Sequence, residues 1–198
     1  SMAYLFPALQ KAFNNENENP VVISCHTKHL QDQLFNKDLP LLAKALDVPL
    51  HAIILKGRSN YICLTRLNWL ITDAAQLLHK DEIESLFPII VWLHVTQTGD
   101  LSECAGFWGC RPFKVAEMIQ SEPGFCTTSL CAPNDGCYFG PIRQAVQDSQ
   151  VIIVNHALLL SNMNNPGLLP EYEAVIIDEA HNLVDVAYDQ LTLEVNMF

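Results

Sequence analysis

An apolar, β-branched run that ends in adjacent carboxylates places the tightest constraint on how this chain folds. Residues 174–177 (AVII) lead directly into Asp178 and Glu179. A buried strand cannot hold two ionised side chains in its interior, so these carboxylates belong at its carboxyl end. In open parallel sheets ligands bind at that edge, and a hydrated Mg²⁺ with a nucleotide phosphate would suit it. The residues alone equally allow a strand followed by a helix with an acidic first turn.

Three further apolar runs predict the rest of a sheet. Residues 21–24, 51–55 and 151–154 are short and apolar, and each is followed by a segment with helical spacing of its apolar residues. Residues 4–13 predict a helix ahead of the first strand, and Pro40 is expected to interrupt the helix after it. The pattern predicts an α/β fold with a parallel, helix-flanked sheet.

The second and third predicted strands are separated by about ninety residues, too many for an ordinary crossover. Residues 66–79 and 81–95 predict two helices, in which Trp69 and Trp92 are expected to be core residues. Residues 98–140 are rich in Gly, Pro, Cys and aromatic residues, which are poor material for a core. This part is predicted to be an inserted subdomain held together by a metal or covalent link.

The amino-acid composition limits the kinds of protein to which this chain can belong. The 198 residues, 49% of them hydrophobic, suffice for one large domain or for one domain with an insertion. With 22 acidic and 11 basic residues the net charge is −11, so the surface as a whole cannot wrap nucleic acid. Neither a signal peptide nor a membrane span is recognisable, and the chain is expected to be cytoplasmic. Seven cysteines therefore favour a metal or cluster site over disulfides.

Three cysteines lie five and six residues apart in a loop that also contains Gly and Pro: Cys126, Cys131 and Cys137. Cys63 opens the same insert and is the candidate fourth ligand, although Cys104 or Cys110 could replace it. Four thiolates suit Zn²⁺ or a 4Fe-4S cluster, and the absence of tight CxxC pairs favours the cluster. Cys25 ends a predicted strand and is interpreted as a packing residue.

Five segments together resemble the iron-sulfur DNA helicases of superfamily 2. They are residues 3–9, 23–34, 55–63, 154–159 and 178–181. The similarity is closest to the bacterial DinG/YoaA group, with XPD a more distant relative, and it covers nearly the whole chain. One departure is Cys25, which stands where the family usually has threonine.

The resemblance implies a fold and a division of the chain. Residues 1–57 and 141–198 would be two parts of a RecA-like motor domain, the first of two, with a partial parallel sheet. Residues 58–140 would be an inserted, mainly helical iron-sulfur cluster subdomain. Its 4Fe-4S cluster would be held by the three loop cysteines together with Cys63.

The resemblance also implies functional roles. In an ATP-dependent DNA helicase Asp178 would hold Mg²⁺ with ATP, Glu179 would position the attacking water, and His181 would couple the nucleotide site to the neighbouring domain. The partners would be single-stranded or forked DNA and replication or repair proteins, with no membrane involved. Candidate DNA-binding residues are Thr27, Lys28, Arg58 and Trp108.

The sequence contains no phosphate loop of the form GxxxxGK followed by Ser or Thr. By resemblance this loop is expected just ahead of residue 3, and a second motor domain beyond residue 198. The fragment itself is therefore expected to be inactive, and to self-associate along an exposed sheet edge. An alternative of another class is an acidic protein-binding module held together by zinc, without catalytic activity.

Overall fold

The computed structural model describes residues 2–14, 19–126, 137–164 and 166–192. The chain divides into two compact units, one of residues 1–56 with 143–198 and one of residues 57–142. Each unit has a hydrophobic core of its own. Throughout the described ranges, every helix is too short or too polar to span a lipid bilayer.

The described residues of the first unit form a four-stranded sheet. Its strands are β1 (Val21–Cys25), β2 (Ala52–Ile54), β3 (Val151–Asn155) and β4 (Ala174–Ile177). The order across the sheet is β2-β3-β1-β4, and every pairing is parallel. Their apolar, mainly β-branched residues pack well on a pleated surface, which is why these runs form strands. The predicted α/β class with a parallel, helix-flanked sheet is confirmed.

In chain order, the helices of the described residues are α1 (Met2–Phe13), α2 (Lys28–Gln33), α3 (Leu39–Leu46), α4 (Leu64–Thr72), α5 (Ala74–Leu77), α6 (Lys80–Glu84), α7 (Leu86–Leu93), α8 (Ala105–Gly109), α9 (Phe113–Ile119), α10 (Phe139–Gln147), α11 (His156–Asn164) and α12 (Leu183–Leu191). A π-helical segment, Leu34–Asp38, joins α2 to α3. Pro40 lies in the first turn of α3, where it has no N–H to donate to the π-helical turn that precedes it. The expected interruption at Pro40 takes the form of this π-helical segment.

Both faces of the two central strands, β1 and β3, are buried. One face packs with α1, α2 and α3 in a core that includes Leu5, Leu9 and Ile23. Because side chains alternate along a strand, Val22 and Ser24 point to the opposite face, where both are fully buried as well. A parallel sheet with helices on both sides has this pattern.

The second unit is mainly helical and packs around Phe107, which is fully buried with Ile89 and Ile119. The expectation that residues 98–140 are poor material for a core is wrong for residues 101–119, because short helices direct their apolar side chains into this core. The predicted helices over residues 66–79 and 81–95 each form as two pieces, separated at Asp73 and Ser85. The break at Ser85 places Pro88 in the first turn of α7, where proline is tolerated.

The expectation that Trp69 is a core residue is wrong, whereas Trp92 is buried as predicted. Trp69 is 51% exposed because α4 faces the core through Leu67 and Leu70. Helical spacing identified an apolar helix but did not identify which side of it would be covered.

Two phenylalanines of the second unit test its core. Phe107→Ala should lower the free energy of unfolding by about 3–5 kcal/mol, because it leaves a cavity among fully buried side chains. Phe113→Ala removes the same ring from a site that is 67% exposed and should change stability by less than about 1 kcal/mol. Urea denaturation with protease protection of residues 57–142 measures both, and equal losses would contradict this description of the core.

Candidate functional site

Polar side chains gather at the carboxyl edge of the sheet. Parallel pairing aligns Cys25 of β1 with Asn155 of β3, and Ser24 with Ile177, the last residue of β4. The residues that follow these strand ends are His26, His156 and Asp178. Ligands bind at this edge in open α/β sheets.

Asp178 is held by hydrogen bonds on both its backbone and its carboxylate. Its N–H donates to the carbonyl of Ser24 at 2.8 Å. The hydroxyl of Tyr4 donates to Oδ2 at 2.8 Å, and the N–H of Glu179 donates to Oδ1 at 3.1 Å. Each carboxylate oxygen can still accept another hydrogen bond, so a cation bound through its water ligands suits this side chain.

Glu179 and His181 are exposed beside Asp178. Glu179 has φ 51° and ψ 47°, a left-handed conformation that few residues other than glycine adopt. This conformation turns the chain sharply out of β4 and starts a short 3-10 helix, Ala180–Asn182, in which the N–H of Asn182 donates to the Glu179 carbonyl at 2.9 Å. Residues in this backbone conformation cluster at functional sites.

Burial and the neighbouring carboxylates keep two groups at this edge protonated. Burial, followed by the hydrogen bond to Asp178, raises the pKa of Tyr4 far above its ordinary value. Its phenol is therefore a neutral donor throughout the physiological range. Burial also raises the pKa of the Cys25 thiol to about 12, with a further contribution from the charges of Asp178 and Glu179. Cys25 is fully buried and unreactive, in agreement with its interpretation as a packing residue.

His156 lies at the first position of α11 and is only 1% exposed. Its Nδ1 shares a 2.7 Å hydrogen bond with Ser24 Oγ, while its buried Nε2 has no hydrogen-bond partner within the described residues. Burial, followed by the nearby His26, lowers the pKa of His156. The imidazole is therefore neutral at physiological pH.

Three of the four predicted cluster cysteines line one recess of the second unit, together with Thr65 and Ser121. They are Cys63, Cys126 and Cys137, and Cys131 lies outside the described residues. The N–H of Gly140 donates to the Cys137 sulfur at 3.4 Å. Among the residues that are described, no three Cys, His, Asp or Glu side chains are arranged to hold a metal ion.

The two alternative cysteines do not line this recess. Cys104 is buried, and its thiol donates to the Pro88 carbonyl at 3.7 Å. Cys110 is exposed, and its thiol donates to the Gly106 carbonyl at 3.6 Å. Among the described cysteines of the second unit, the predicted ligands line this recess, whereas Cys104 and Cys110 do not.

Two of the predicted DNA-binding residues, Thr27 and Lys28, belong to the first unit, and the other two, Arg58 and Trp108, belong to the second. Thr27 caps α2 by accepting a hydrogen bond from the Leu30 N–H at 3.3 Å, and Lys28 is exposed in the first turn of this helix. In the second unit Arg58 lies 5.0 Å from the centre of the Phe139 ring. Trp108 is 37% exposed and donates from Nε1 to a main-chain carbonyl, so only part of its ring faces solvent.

Comparison with known proteins yields matches along almost the entire chain. The DEAD_2 family model matches residues 122–197. The ATP-dependent DNA helicase YoaA of Haemophilus influenzae is 35% identical over 192 residues, which are 94% of this chain and 29% of the relative. YoaA of Escherichia coli is 35% identical over 193 residues, which are 93% of this chain and 28% of the relative. The chain is a DinG/YoaA-like sequence.

A Staphylococcus saprophyticus protein named 3'-5' exonuclease DinG is also similar to this chain. It is 31% identical over 196 residues, which are 99% of this chain and 20% of that protein. The chain therefore spans less than a third of the length of these curated relatives.

Sequence reasoning gave no functional role to Tyr4, Ser24 or His156. A tyrosine in an apolar helix is usually a core residue, and no sequence signal joins Tyr4 to a carboxylate 174 positions away. His156 could have been found, because it directly follows the end of a predicted parallel strand, as Asp178 does.

The lowered pKa of His156 predicts a pH-dependent stability. The folded chain keeps this imidazole neutral, whereas the unfolded chain protonates it below about pH 6.5. The contribution of the neutral imidazole to the free energy of unfolding is therefore fully present above that pH. It is lost as the pH falls, by at most about 1.4 kcal/mol per pH unit. His156→Gln should flatten this slope in denaturant unfolding, whereas His51→Gln, at an exposed position, should preserve it. An unchanged slope in His156→Gln would contradict the assignment.

Proposed function

We propose that this chain is part of the first motor domain of an ATP-dependent DNA helicase that couples ATP hydrolysis to movement along single-stranded DNA and to duplex unwinding. The observation that carries the proposal is the position of Asp178 at the carboxyl end of β4, with its carboxylate held by Tyr4 and its N–H by Ser24. The names of the YoaA relatives support the same activity. DNA repair or replication would be the setting.

In this proposal Asp178 binds a Mg²⁺ of the ATP complex through water, and Glu179 positions the water that attacks the γ-phosphate. Phosphoryl transfer depends on positioned charge more than on covalent chemistry, so a fixed carboxylate beside an exposed one suits this side of the site. His181, on the following turn, would couple the nucleotide site to the neighbouring motor domain. The exposure of Glu179 and His181 allows these contacts.

The second unit is proposed to be the inserted iron-sulfur subdomain, with boundaries near residues 58 and 140. Cys63, Cys126, Cys131 and Cys137 would be the ligands of its 4Fe-4S cluster. The three that are described face one recess, and the Gly140 N–H donates to Cys137, as main-chain amides commonly do to cluster sulfurs. When bound, the cluster would link both ends of the insert and stabilise its fold.

DNA is the proposed partner, and its contacts would be local because the net charge is −11. Thr27 and Lys28 lie at the start of α2, directly after the carboxyl end of β1, where exposed N–H groups and a cation suit a phosphate. Arg58 and Trp108 would contribute contacts from the second unit. Single-stranded or forked DNA is the proposed substrate, with replication or repair proteins as further partners.

Two glutamates near β4 test the catalytic assignment. In the intact protein Glu179→Gln should lower kcat for DNA-stimulated ATP hydrolysis by about 100-fold or more, because the residue that positions the water loses its charge. Glu171→Gln changes an exposed glutamate three residues before β4 and should leave kcat unchanged. A Glu179→Gln protein with full activity would contradict the assignment.

Single Cys→Ser variants purified without oxygen test the cluster assignment. Substitution of Cys63, Cys126, Cys131 or Cys137 should abolish iron binding and make the insert sensitive to protease. Cys104→Ser and Cys110→Ser should retain both the iron and the brown colour. Iron retained in Cys126→Ser, or lost in Cys110→Ser but not in Cys63→Ser, would contradict the ligand set. A colourless protein with one equivalent of zinc would support the alternative protein-binding module.

A further inference from the structure

Tyr4 connects the first helix of the chain to the proposed cation site. Its hydroxyl donates to Asp178 Oδ2 at 2.8 Å, across 174 positions of sequence. Leu5 and Leu9 of the same helix are fully buried in the core of the first unit. These two anchors fix the rotation of α1, and this rotation directs the phenol of Tyr4 at the end of β4.

The Asp178 carboxylate needs two donors to be fixed in orientation. The terminal torsion of an aspartate is broad, so one hydrogen bond leaves the plane of the carboxylate free to turn. The Glu179 N–H holds Oδ1 from the chain's own turn, and the Tyr4 hydroxyl holds Oδ2 from a separate helix. With both donors present, the remaining lone pairs keep a defined direction.

The chemistry of the Tyr4 donor also matters. A lysine or arginine at this place would fix the carboxylate but would cancel part of the charge that attracts a cation. A phenol that stays protonated donates its hydrogen bond and leaves the carboxylate charge in place. Tyrosine is therefore suited to orienting a carboxylate that must still attract Mg²⁺.

From this geometry we infer that Tyr4 is a positioning residue of the nucleotide site, which fixes the Asp178 carboxylate in the orientation that receives the water ligands of a divalent cation. The inference rests on the proposed function and extends it to a residue that acts through Asp178. Mg²⁺ demands near-ideal octahedral geometry and keeps several waters. A carboxylate that turns freely would meet those waters less often in the correct arrangement.

The test compares Tyr4→Phe with Tyr188→Phe in the intact helicase. Tyr4→Phe removes the hydroxyl and keeps the ring, whereas Tyr188 is 71% exposed and serves as the matched control. ATP hydrolysis is measured against Mg²⁺ concentration at saturating ATP and again with Mn²⁺, and thermal unfolding is measured for each variant. Tyr4→Phe should raise the free Mg²⁺ concentration for half-maximal activity by about 3- to 10-fold, the net scale of one ordinary hydrogen bond.

The Mn²⁺ series separates positioning from a merely structural role. Mn²⁺ binds protein oxygen ligands with geometry similar to Mg²⁺ but loses water more readily, so the defect of Tyr4→Phe should be smaller with Mn²⁺. An unchanged Mg²⁺ dependence, an equal defect with both metals, or the same shift in Tyr188→Phe would overturn the inference. Absence of ATP hydrolysis in the unmodified protein would overturn the proposed function, and this inference with it.

Discussion

The candidate site depends on Ser24, a fully buried residue of the central strand β1. Its carbonyl accepts from the Asp178 N–H of one neighbouring strand end, and its hydroxyl bonds to His156 at the end of the other neighbour. One residue thus fixes the ends of β3 and β4 in relation to β1. Because buried polar groups are costly when unpaired, this small network strongly favours a single arrangement of the sheet edge.

The sheet was predictable because its runs are short, β-branched and apolar, and because two ionised side chains must lie outside the buried part of β4. The edge where Asp178 lies follows from the parallel arrangement of the strands. The strand order was not predictable from periodicity, since each strand is apolar on both faces. Trp69 shows the same limit in the helices, because spacing cannot reveal which side of α4 the rest of the insert leaves exposed.

The polar network at the sheet edge depends on contacts far apart in sequence. Tyr4 meets Asp178 only because α1 packs along the sheet through Leu5 and Leu9. The cysteines are a different case, since their number and loop-like spacing already predicted a shared metal or cluster. Cys63, Cys126 and Cys137 face one recess, and the remaining predicted ligand, Cys131, lies outside the described residues. The sequence therefore indicated which residues could be functional, whereas the orientation of their side chains could be determined only from the fold.

We propose that the carboxyl edge of this sheet binds a Mg²⁺ nucleotide at Asp178. The most direct measurement is a crystal structure of the intact protein with Mg²⁺ and a non-hydrolysable ATP analogue. A water ligand of Mg²⁺ should lie within hydrogen-bond distance of Asp178, with Glu179 facing the γ-phosphate and the Tyr4–Asp178 hydrogen bond intact. A nucleotide bound elsewhere, or Asp178 turned away from the metal, would contradict it.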